Sequence, residues 1–446
     1  MSQKNRIPAS DHPISLSMAV LINLNIMLGA GIFINTTVLA RTAGFLGFVG
    51  YGIIAIFMLP LILCIARLLF LHPSGGFYTF GAKEISSFAG FLSTWSYFVG
   101  KIASCILMIH VSSSIALTYI PHQLCINHYM LDLIILTVFI FLNTMNVTIG
   151  NIIQKTLVSL KSIPIFTAII IGILSCRKAH IMPEDLVWTG IPSLLPIVLY
   201  SALGFEAACS LSSRIQNAQK NAARAVIISF GLAMGVAALY QLSFYISVGH
   251  PLATLPNYRY VFPALFQPWL LADHRMGMIL IGLMSLAIIF SALGGSYSII
   301  FSNTWNLHTL ALHNHTFFAP SLLELNRHGI PWLCVVVQGC IAALYLYVCK
   351  GAQIPLQQIS NIGSIIAYTI SVISLLMLYV RSSSSSLSSY VLVISALISC
   401  ITLASGCIFS LLSKNCYIFV TFMAVVLFGV GMFVVTKPRL SKRWTD

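Results

Sequence analysis

Charged residues are scarce in this 446-residue chain, and acidic ones are the scarcest. Lys and Arg together number 23 and Asp and Glu only 9, so 7% of the residues are charged, and the mean hydropathy is +0.95. A soluble domain usually carries about 25% charged residues, so this composition excludes the ordinary soluble classes. The formal charge of +14 accompanies long apolar runs rather than a basic domain. It therefore argues against a nucleic acid partner and favours contact with membrane lipid.

Metal-binding and catalytic patterns are also lacking. The 11 cysteines include no C-x-x-C pair and lie mostly within apolar runs, so we interpret them as packing residues and expect no metal or other cofactor. Cys125, Cys176 and Cys416 are nearest to predicted outer loops, but nothing in the sequence supports a disulfide. His313 and His315 have no carboxylate or thiol beside them, which argues against a metal site. No nucleophile accompanies a general base, so we expect no enzyme.

Apolar sequence fills the rest of the chain in runs long enough to cross a bilayer. About 20 helical residues span a hydrocarbon core of about 30 Å. We therefore predict an all-α polytopic membrane protein with twelve spans, at residues 16–37, 47–71, 90–118, 131–148, 156–175, 194–212, 224–248, 276–302, 332–349, 359–380, 388–411 and 416–436.

The distribution of Lys and Arg predicts the orientation. Both are more frequent in the tails at 1–13 and 437–446 and in the loops on the same side than in the opposite loops. Because basic loops stay in the cytoplasm, we expect both tails there. The first apolar run is too long for the core of a cleavable signal peptide. Short tails and compact loops lead us to expect a bacterial inner membrane.

Two spans are interrupted by residues that suit a helix break. Gly29, Ala30 and Gly31 lie in span one, and Gly204 and Glu206 lie in span six. In lipid, such interruptions are expected where the backbone opens onto a protein-lined cavity, and matching breaks in two halves indicate a transporter binding site. The alternative use of the glycines is close helix packing. The backbone after the first break would present N–H groups to an anionic group such as a carboxylate.

The positions of the breaks predict an internal repeat. Each break opens a unit of five spans, and because five is odd, the second unit must be inverted relative to the first. We therefore predict a first repeat at 14–180, a second at 190–381 and two additional helices at 388–436.

Three charged residues within spans are candidates for gating or coupling. A carboxylate at membrane depth costs about 2.5–3.5 kcal/mol, so we expect Glu206 to brace the unwound backbone and gate rather than to contact substrate. Lys161, about one turn into predicted span five, either snorkels to water or acts as a fixed or switchable cation at the place of a bound sodium ion. Lys101 either faces the substrate pathway or pairs with Glu206. Tyr200 is either an aromatic lid or a packing residue.

Several motifs resemble those of the amino acid–polyamine–organocation (APC) superfamily of transporters. The similar segments are the G-x-G-I-F run at 29–33, P-x-G-G-x-Y at 73–78, V-x-x-K-x-x-P at 158–164, the G-F-E run at 204–206 and N-x-x-G-x-P-W at 326–332. The resemblance covers spans one to ten. It implies a LeuT-type five-plus-five inverted repeat, plus two C-terminal helices, that transports amino acids or amines by alternating access.

The resemblance also implies particular site residues. The substrate pocket would be lined by residues of both breaks, namely Met27, Gly29, Ala30, Gly31, Ile32, Tyr200, Leu203, Gly204 and Phe205. Lys161 matches the lysine that replaces a sodium ion in proton-coupled members. Arg214 departs from the family pattern, which commonly has an acidic residue there, and this departure puts the energetics of the inner gate in doubt.

These observations predict a secondary transporter of an amino acid or related amine, coupled to protons or working by exchange. The alternative is a transporter-like sensor without sustained flux, and this chain has no long soluble tail with which to signal. A channel would need a continuous polar pore, which the few intramembrane charges do not suggest. The identity of the substrate and the oligomeric state are not predicted.

Overall fold

The computed structural model describes residues 14–73, 75–120, 127–145, 147–175, 182–382, 386–414 and 416–436. Over these ranges the chain is helical, and its only β pairing consists of two isolated bridges. The two predicted tails, Ser74 of the P-x-G-G-x-Y segment, Cys125 and Cys176 lie outside the described residues.

Twenty α-helices follow one another in the described part of the chain. They are α1 Leu16–Met27, α2 Ala30–Ile34, α3 Thr36–Ala43, α4 Val49–Leu71, α5 Phe77–Glu84, α6 Ser87–Ala116, α7 His128–Asn143, α8 Val147–Ser175, α9 Ile191–Ala202, α10 Ala207–Ser210, α11 Ala218–Val248, α12 Pro251–Thr254, α13 Val261–Leu265, α14 Gln267–Ala272, α15 His274–Leu312, α16 Ala319–Leu322, α17 Trp332–Cys349, α18 Gln353–Arg381, α19 Leu387–Lys414 and α20 Cys416–Thr436.

Eleven helical segments of the described chain are long and apolar enough to cross a membrane, and the shorter apolar helix α7 follows the third of them. Together they match the twelve predicted spans, so the chain is an integral multi-pass membrane protein. Span one consists of α1 and α2, and span six of α9 and α10. Spans two to five are α4, α6, α7 and α8. Spans seven to twelve are α11, α15, α17, α18, α19 and α20.

Several predicted span boundaries differ from the helix ends by five residues or more, and the largest differences are at spans eight and five. Helix α15 continues to Leu312 instead of ending near 302, so His308 lies on this helix and not in a loop. Its extension carries Asn303 and Asn306, whose side chains are buried against protein, and hydropathy alone mistakes such residues for a loop. Helix α7 ends at Asn143 rather than 148, and α8 begins at Val147 rather than 156.

Loop contacts define the face of the helical bundle where span one begins, which we call the N-terminal face. The Ile14 amide donates to the Arg214 carbonyl at 2.9 Å, and the Ser212 hydroxyl donates to the Gly75 carbonyl at 2.7 Å. On the opposite face, the Arg41 guanidinium donates to the Leu255 carbonyl at 2.7 Å. Successive spans therefore cross the bundle in alternating directions between these two faces.

Helix α6 is the centre of the bundle and is buried over nearly its whole length. It packs against α15 and α18, while α4 and α1 pack against α11. Helices α6 and α18 cross at Gly100 and Gly363, where a Cβ on Gly100 would lie 2.9 Å from the Gly363 Cα. In the predicted repeat, span three corresponds to span eight, and span ten corresponds to span five. The contact between α6 and α18 therefore has a counterpart in the contact between α15 and α8, which also pack together. The assignment of the two repeats itself stays a prediction.

Candidate functional site

Both predicted interruptions are breaks in helical structure. Helix α1 ends at Met27 and α2 begins at Ala30, so Leu28 and Gly29 leave the helix. In span six, the chain is non-helical between Ala202 and Ala207. Gly204 has φ +130°, a backbone conformation that is accessible essentially to glycine alone. The second break therefore depends on the absence of a side chain at this position.

The two breaks lie directly against each other. A Cβ on Gly204 would lie 2.9 Å from the Met27 backbone nitrogen, and a Cβ on Gly31 would lie 2.9 Å from the Ser201 hydroxyl and 3.0 Å from the Tyr200 ring. The close-packing role left open for these glycines is thus present. Their predicted role in binding substrate stays a prediction.

The remaining residues predicted to line the pocket are buried at the same place. The Tyr200 hydroxyl lies 2.9 Å from that of Ser104 on α6, so this side chain joins span six to span three. The Phe205 ring packs against Tyr368 on α18, with 5.7 Å between ring centroids. Met27, Ala30, Ile32 and Leu203 are also buried beside the breaks.

Glu206 braces the break in span six. Its Oε2 accepts a hydrogen bond from the Gly204 amide at 2.7 Å, and its Oε1 lies 2.6 Å from the Lys101 Nζ. The Tyr97 hydroxyl also donates to Oε1, at 3.3 Å. Of the two arrangements left open for Lys101, the structure has the ion pair, and both side chains are buried. The carboxylate is therefore held by partners from two spans.

Asn23 joins the two breaks, and the sequence reasoning missed it. Its Nδ2 donates to the Phe205 carbonyl at 2.7 Å and to the Ser229 hydroxyl at 3.0 Å, while its Oδ1 accepts from the Ala208 amide at 3.1 Å. The first amides of a helix have no partner within it, so this side chain satisfies a backbone group that the break in span six sets free. An amide in an apolar span was the available signal.

A second missed amide lies where α2 meets α3. Asn35 donates to the Ile197 carbonyl at 3.2 Å and accepts from the Gln357 side chain at 3.0 Å. It thereby connects span one to spans six and ten. Amide side chains thus fix the broken span on both sides of its break.

Lys161 is held inside the bundle. Its Nζ donates to the Asn25 carbonyl at 2.7 Å and to the Leu28 carbonyl at 3.3 Å, and the Ser291 hydroxyl of α15 donates to the Leu28 carbonyl at 3.1 Å. Since α8 begins at Val147, Lys161 lies 14 residues, or about 21 Å, into its helix and not one turn from the end. The side chain is buried among other helices, so the lysine does not snorkel to water. Its Nζ thus satisfies carbonyls at the C-terminal end of α1, which the break leaves without a partner in the helix.

Arg214 makes contacts that bridge several elements at the N-terminal face. The Arg214 guanidinium lies 4.0 Å from the centroid of the Trp305 ring on α15, and its Nη2 donates to the Gly329 carbonyl at 3.4 Å. The residue that departs from the family pattern thus connects the end of span six to span eight and to the loop before span nine.

A tyrosine and two histidines form a second closure on this face. The Tyr78 hydroxyl lies 2.8 Å from the His315 Nε2, and the Tyr78 ring stacks on His313 with 4.0 Å between centroids. Burial lowers the pKa of both His313 and His315 to about 4, so both imidazoles are neutral near pH 7. No cluster of His, Cys, Asp or Glu suited to a metal ion occurs among the described residues.

Comparison with known proteins assigns this architecture. The chain is similar to uncharacterized transporters of Mycobacterium tuberculosis and Mycobacterium bovis, with 24% identity over 231 residues that cover 50% of each chain. It thus spans about half the length of these curated relatives. A sequence profile described as amino acid permease matches residues 14–438, nearly the whole chain. The match confirms the resemblance drawn from the motifs. The chain therefore belongs to the amino acid permease family of the APC superfamily.

Proposed function

We propose that this transporter carries a neutral amino acid by alternating access, coupled to protons or working by exchange. The observation that carries the proposal is the contact between the two helix breaks, with Lys161 bound to the carbonyls of the first. Substrate binds between the breaks, and the pair of broken spans moves relative to the other helices.

The surroundings of the breaks favour a substrate without net charge. Lys101 and Glu206 neutralise each other at 2.6 Å, so the pair adds no net charge to the site. The side chains nearest to the breaks, among them Met27, Ala30 and Leu203, are apolar or small. A zwitterionic amino acid with a small or apolar side chain matches such a lining, whereas a net charge would remain uncompensated.

Lys161 argues against sodium coupling. Carbonyl and hydroxyl oxygens are the ligands that hard cations prefer, and here two carbonyls of span one lie beside the Ser291 hydroxyl. The Lys161 ammonium already occupies the two carbonyls. A sodium ion at this place would meet a like charge a few ångströms away, so protonation of the lysine takes the role of cation binding. A ligand can drive the cycle only through different affinities for the two states of the transporter.

Uptake into proteoliposomes tests this proposal. A panel of radiolabelled amino acids is offered with an inward proton gradient, with a sodium gradient, or with unlabelled amino acid preloaded inside. Lys161→Met is compared with Lys155→Met, which makes the same change at an exposed position of the same helix. We expect uptake that follows the proton gradient or the internal solute and that is lost in Lys161→Met but kept in Lys155→Met.

Three results would contradict the proposal in different ways. Uptake that depends on the sodium gradient would refute the role of Lys161, and normal uptake by Lys161→Met would do the same. A substrate that raises the melting temperature of the purified protein without any accumulation of label would favour the sensor.

A further inference from the structure

The two shortest spans lie side by side. Helix α7 has 16 residues and α17 has 18, which correspond to about 24 Å and 27 Å, and the two helices pack against each other. Both are shorter than a typical hydrocarbon core of about 30 Å. A bilayer adapts to short helices by thinning, which draws headgroups toward them.

A cavity opens where these two helices meet the opposite face. It has a volume of about 360 Å³ and is lined by His110, His128, Tyr129, Asp132, Leu346, Tyr347 and Lys350. The rim side chains Tyr129 and Tyr347 are 40% and 68% exposed, and Leu344 and Ile134 on the same helices are exposed beside them. Apolar side chains exposed on a membrane span face lipid, and tyrosines are enriched at the membrane interface. The cavity is therefore accessible from the bilayer.

The charges around the cavity favour an anion. The carboxylate in the lining of the cavity is Asp132, which is buried. It already has partners, because the His110 Nδ1 lies 2.8 Å from the Asp132 Oδ2 and the Ser113 hydroxyl donates to the Asp132 Oδ1. Lys350 is exposed at the rim, and no ion pair holds it among the described residues. The charge of the lining that lies open to a ligand is therefore that of Lys350.

The backbone holds Lys350 at this place. Lys350 has φ +47° and Gly351 has φ +72°, so two successive residues adopt the left-handed region. A Cβ on Gly351 would lie 2.2 Å from the His110 ring, so the turn after α17 packs directly on the imidazole that pairs with Asp132. A lysine in this backbone region is uncommon and strained. The turn therefore positions its cation next to the cavity instead of leaving it on a free loop.

We propose that this cavity binds the headgroup of an anionic phospholipid. Lys350 attracts the phosphate, Tyr129 and Tyr347 flank the glycerol region, and an acyl chain lies along the exposed flank of α7 and α17. The site is separate from the two helix breaks and does not depend on which substrate is transported.

Native mass spectrometry of the purified transporter tests the site. The protein in detergent is titrated with dioleoylphosphatidylglycerol or dioleoylphosphatidylcholine, and the retained lipid is counted. We expect phosphatidylglycerol to be retained preferentially, and we expect Lys350→Gln to weaken its binding about fivefold, the factor that corresponds to ~1 kcal/mol per cation near anionic lipid. The control is Arg275→Gln, which removes an exposed cation of the same face that does not line the cavity. This control should bind like the parent protein.

Three outcomes would overturn the proposal. The first is equal retention of the two lipids by the parent protein, and the second is an equal loss of binding in Arg275→Gln. The third is displacement of phosphatidylglycerol by an equimolar amount of glycerol 1-phosphate, which would mean that the cavity binds a free phosphate ester and not a lipid. Lys350 is exposed, so its replacement should leave the fold intact, and an unchanged melting temperature verifies this.

Discussion

The pair of Lys101 and Glu206 should behave as one energetic unit. Removing one partner of a buried ion pair leaves the other charge uncompensated and costs about 3–5 kcal/mol, whereas replacing both partners is often close to neutral. We therefore expect Lys101→Met and Glu206→Gln each to destabilise the protein strongly, and the double variant to regain most of the loss. In the double variant, the side-chain carbonyl of the introduced glutamine still accepts from the Gly204 amide. The new amide nitrogen then lacks part of its hydrogen bonding, at about 1–3 kcal/mol.

Thermal unfolding in detergent measures this coupling. An unfolding entropy of about 2.1 cal/mol/K per residue over 446 residues gives roughly 0.9 kcal/mol/K, so 1 kcal/mol shifts the melting temperature by about 1 °C. Each single variant should therefore melt about 3–5 °C lower than the parent, and the double variant about 1–3 °C lower. Additive shifts of about 6–10 °C in the double variant would refute the pairing as the main role of these side chains.

Substrate binding by the same variants separates structure from recognition. If Lys101 only holds Glu206, the double variant should bind a neutral amino acid with an affinity close to that of the parent. The measurement is the rise in melting temperature at saturating substrate. Recovered stability combined with lost binding would mean that Lys101 contacts the substrate, the arrangement that the sequence left open.

Three further predictions concern contacts around the breaks and at the N-terminal face. Asn23→Leu leaves the Phe205 carbonyl and the Ala208 amide unpaired, at about 1–3 kcal/mol each, so the melting temperature should fall by about 2–6 °C. An unchanged melting temperature would show that Asn23 does not hold the two breaks together. Arg214→Gln loses the contact with Trp305 and should speed exchange severalfold in preloaded vesicles, because the N-terminal face opens more easily; an unchanged rate would show that this contact is no gate. Burial keeps His315 neutral with a pKa of about 4, so the unfolded chain binds the proton first, and stability should fall as the pH drops from about 6.5 to 4. In His315→Gln the melting temperature should therefore depend less on pH in that window, and the dependence that remains comes in part from His313, whose pKa is also about 4. The same pH dependence in the variant and the parent protein would contradict the prediction.

Much of the fold could be predicted because the bilayer imposes a simple rule on each span separately. Length and hydropathy locate the spans, clustered glycines locate the first break, and a glycine close to a carboxylate locates the second. The rule fails at α15, where Asn303 and Asn306 continue the helix because their side chains face protein rather than water. It also places the start of α8 too late, which made Lys161 look close to the surface. Hydropathy reports the average environment of a helix and not which side of it is covered.

The partners of the site residues could not be predicted in the same way, because they are distant in the sequence. Lys161 and its acceptor at Asn25 are 136 positions apart, and Asn23 and Phe205 are 182 apart. A polar side chain within a span indicates that a partner exists, since an unpaired one is costly there, but not which residue it is. Asn23 and Asn35 carry this signal, but an uncharged amide is a weaker indicator of such a site than a charged residue within a span.

The charges themselves nevertheless restrict the possible arrangements. In the described middle of the spans, Lys101 and Lys161 are the buried lysines, and Glu206 is the buried carboxylate. One carboxylate neutralises one lysine, so the other must find neutral acceptors. In a membrane helix nearly all carbonyls are already bonded, and free ones occur where the helix is broken. One lysine therefore had to pair with Glu206 and the other to bind the carbonyls of a break. Because the carboxylate lies at the break of span six, the remaining cation belongs at the break of span one, where Lys161 is found.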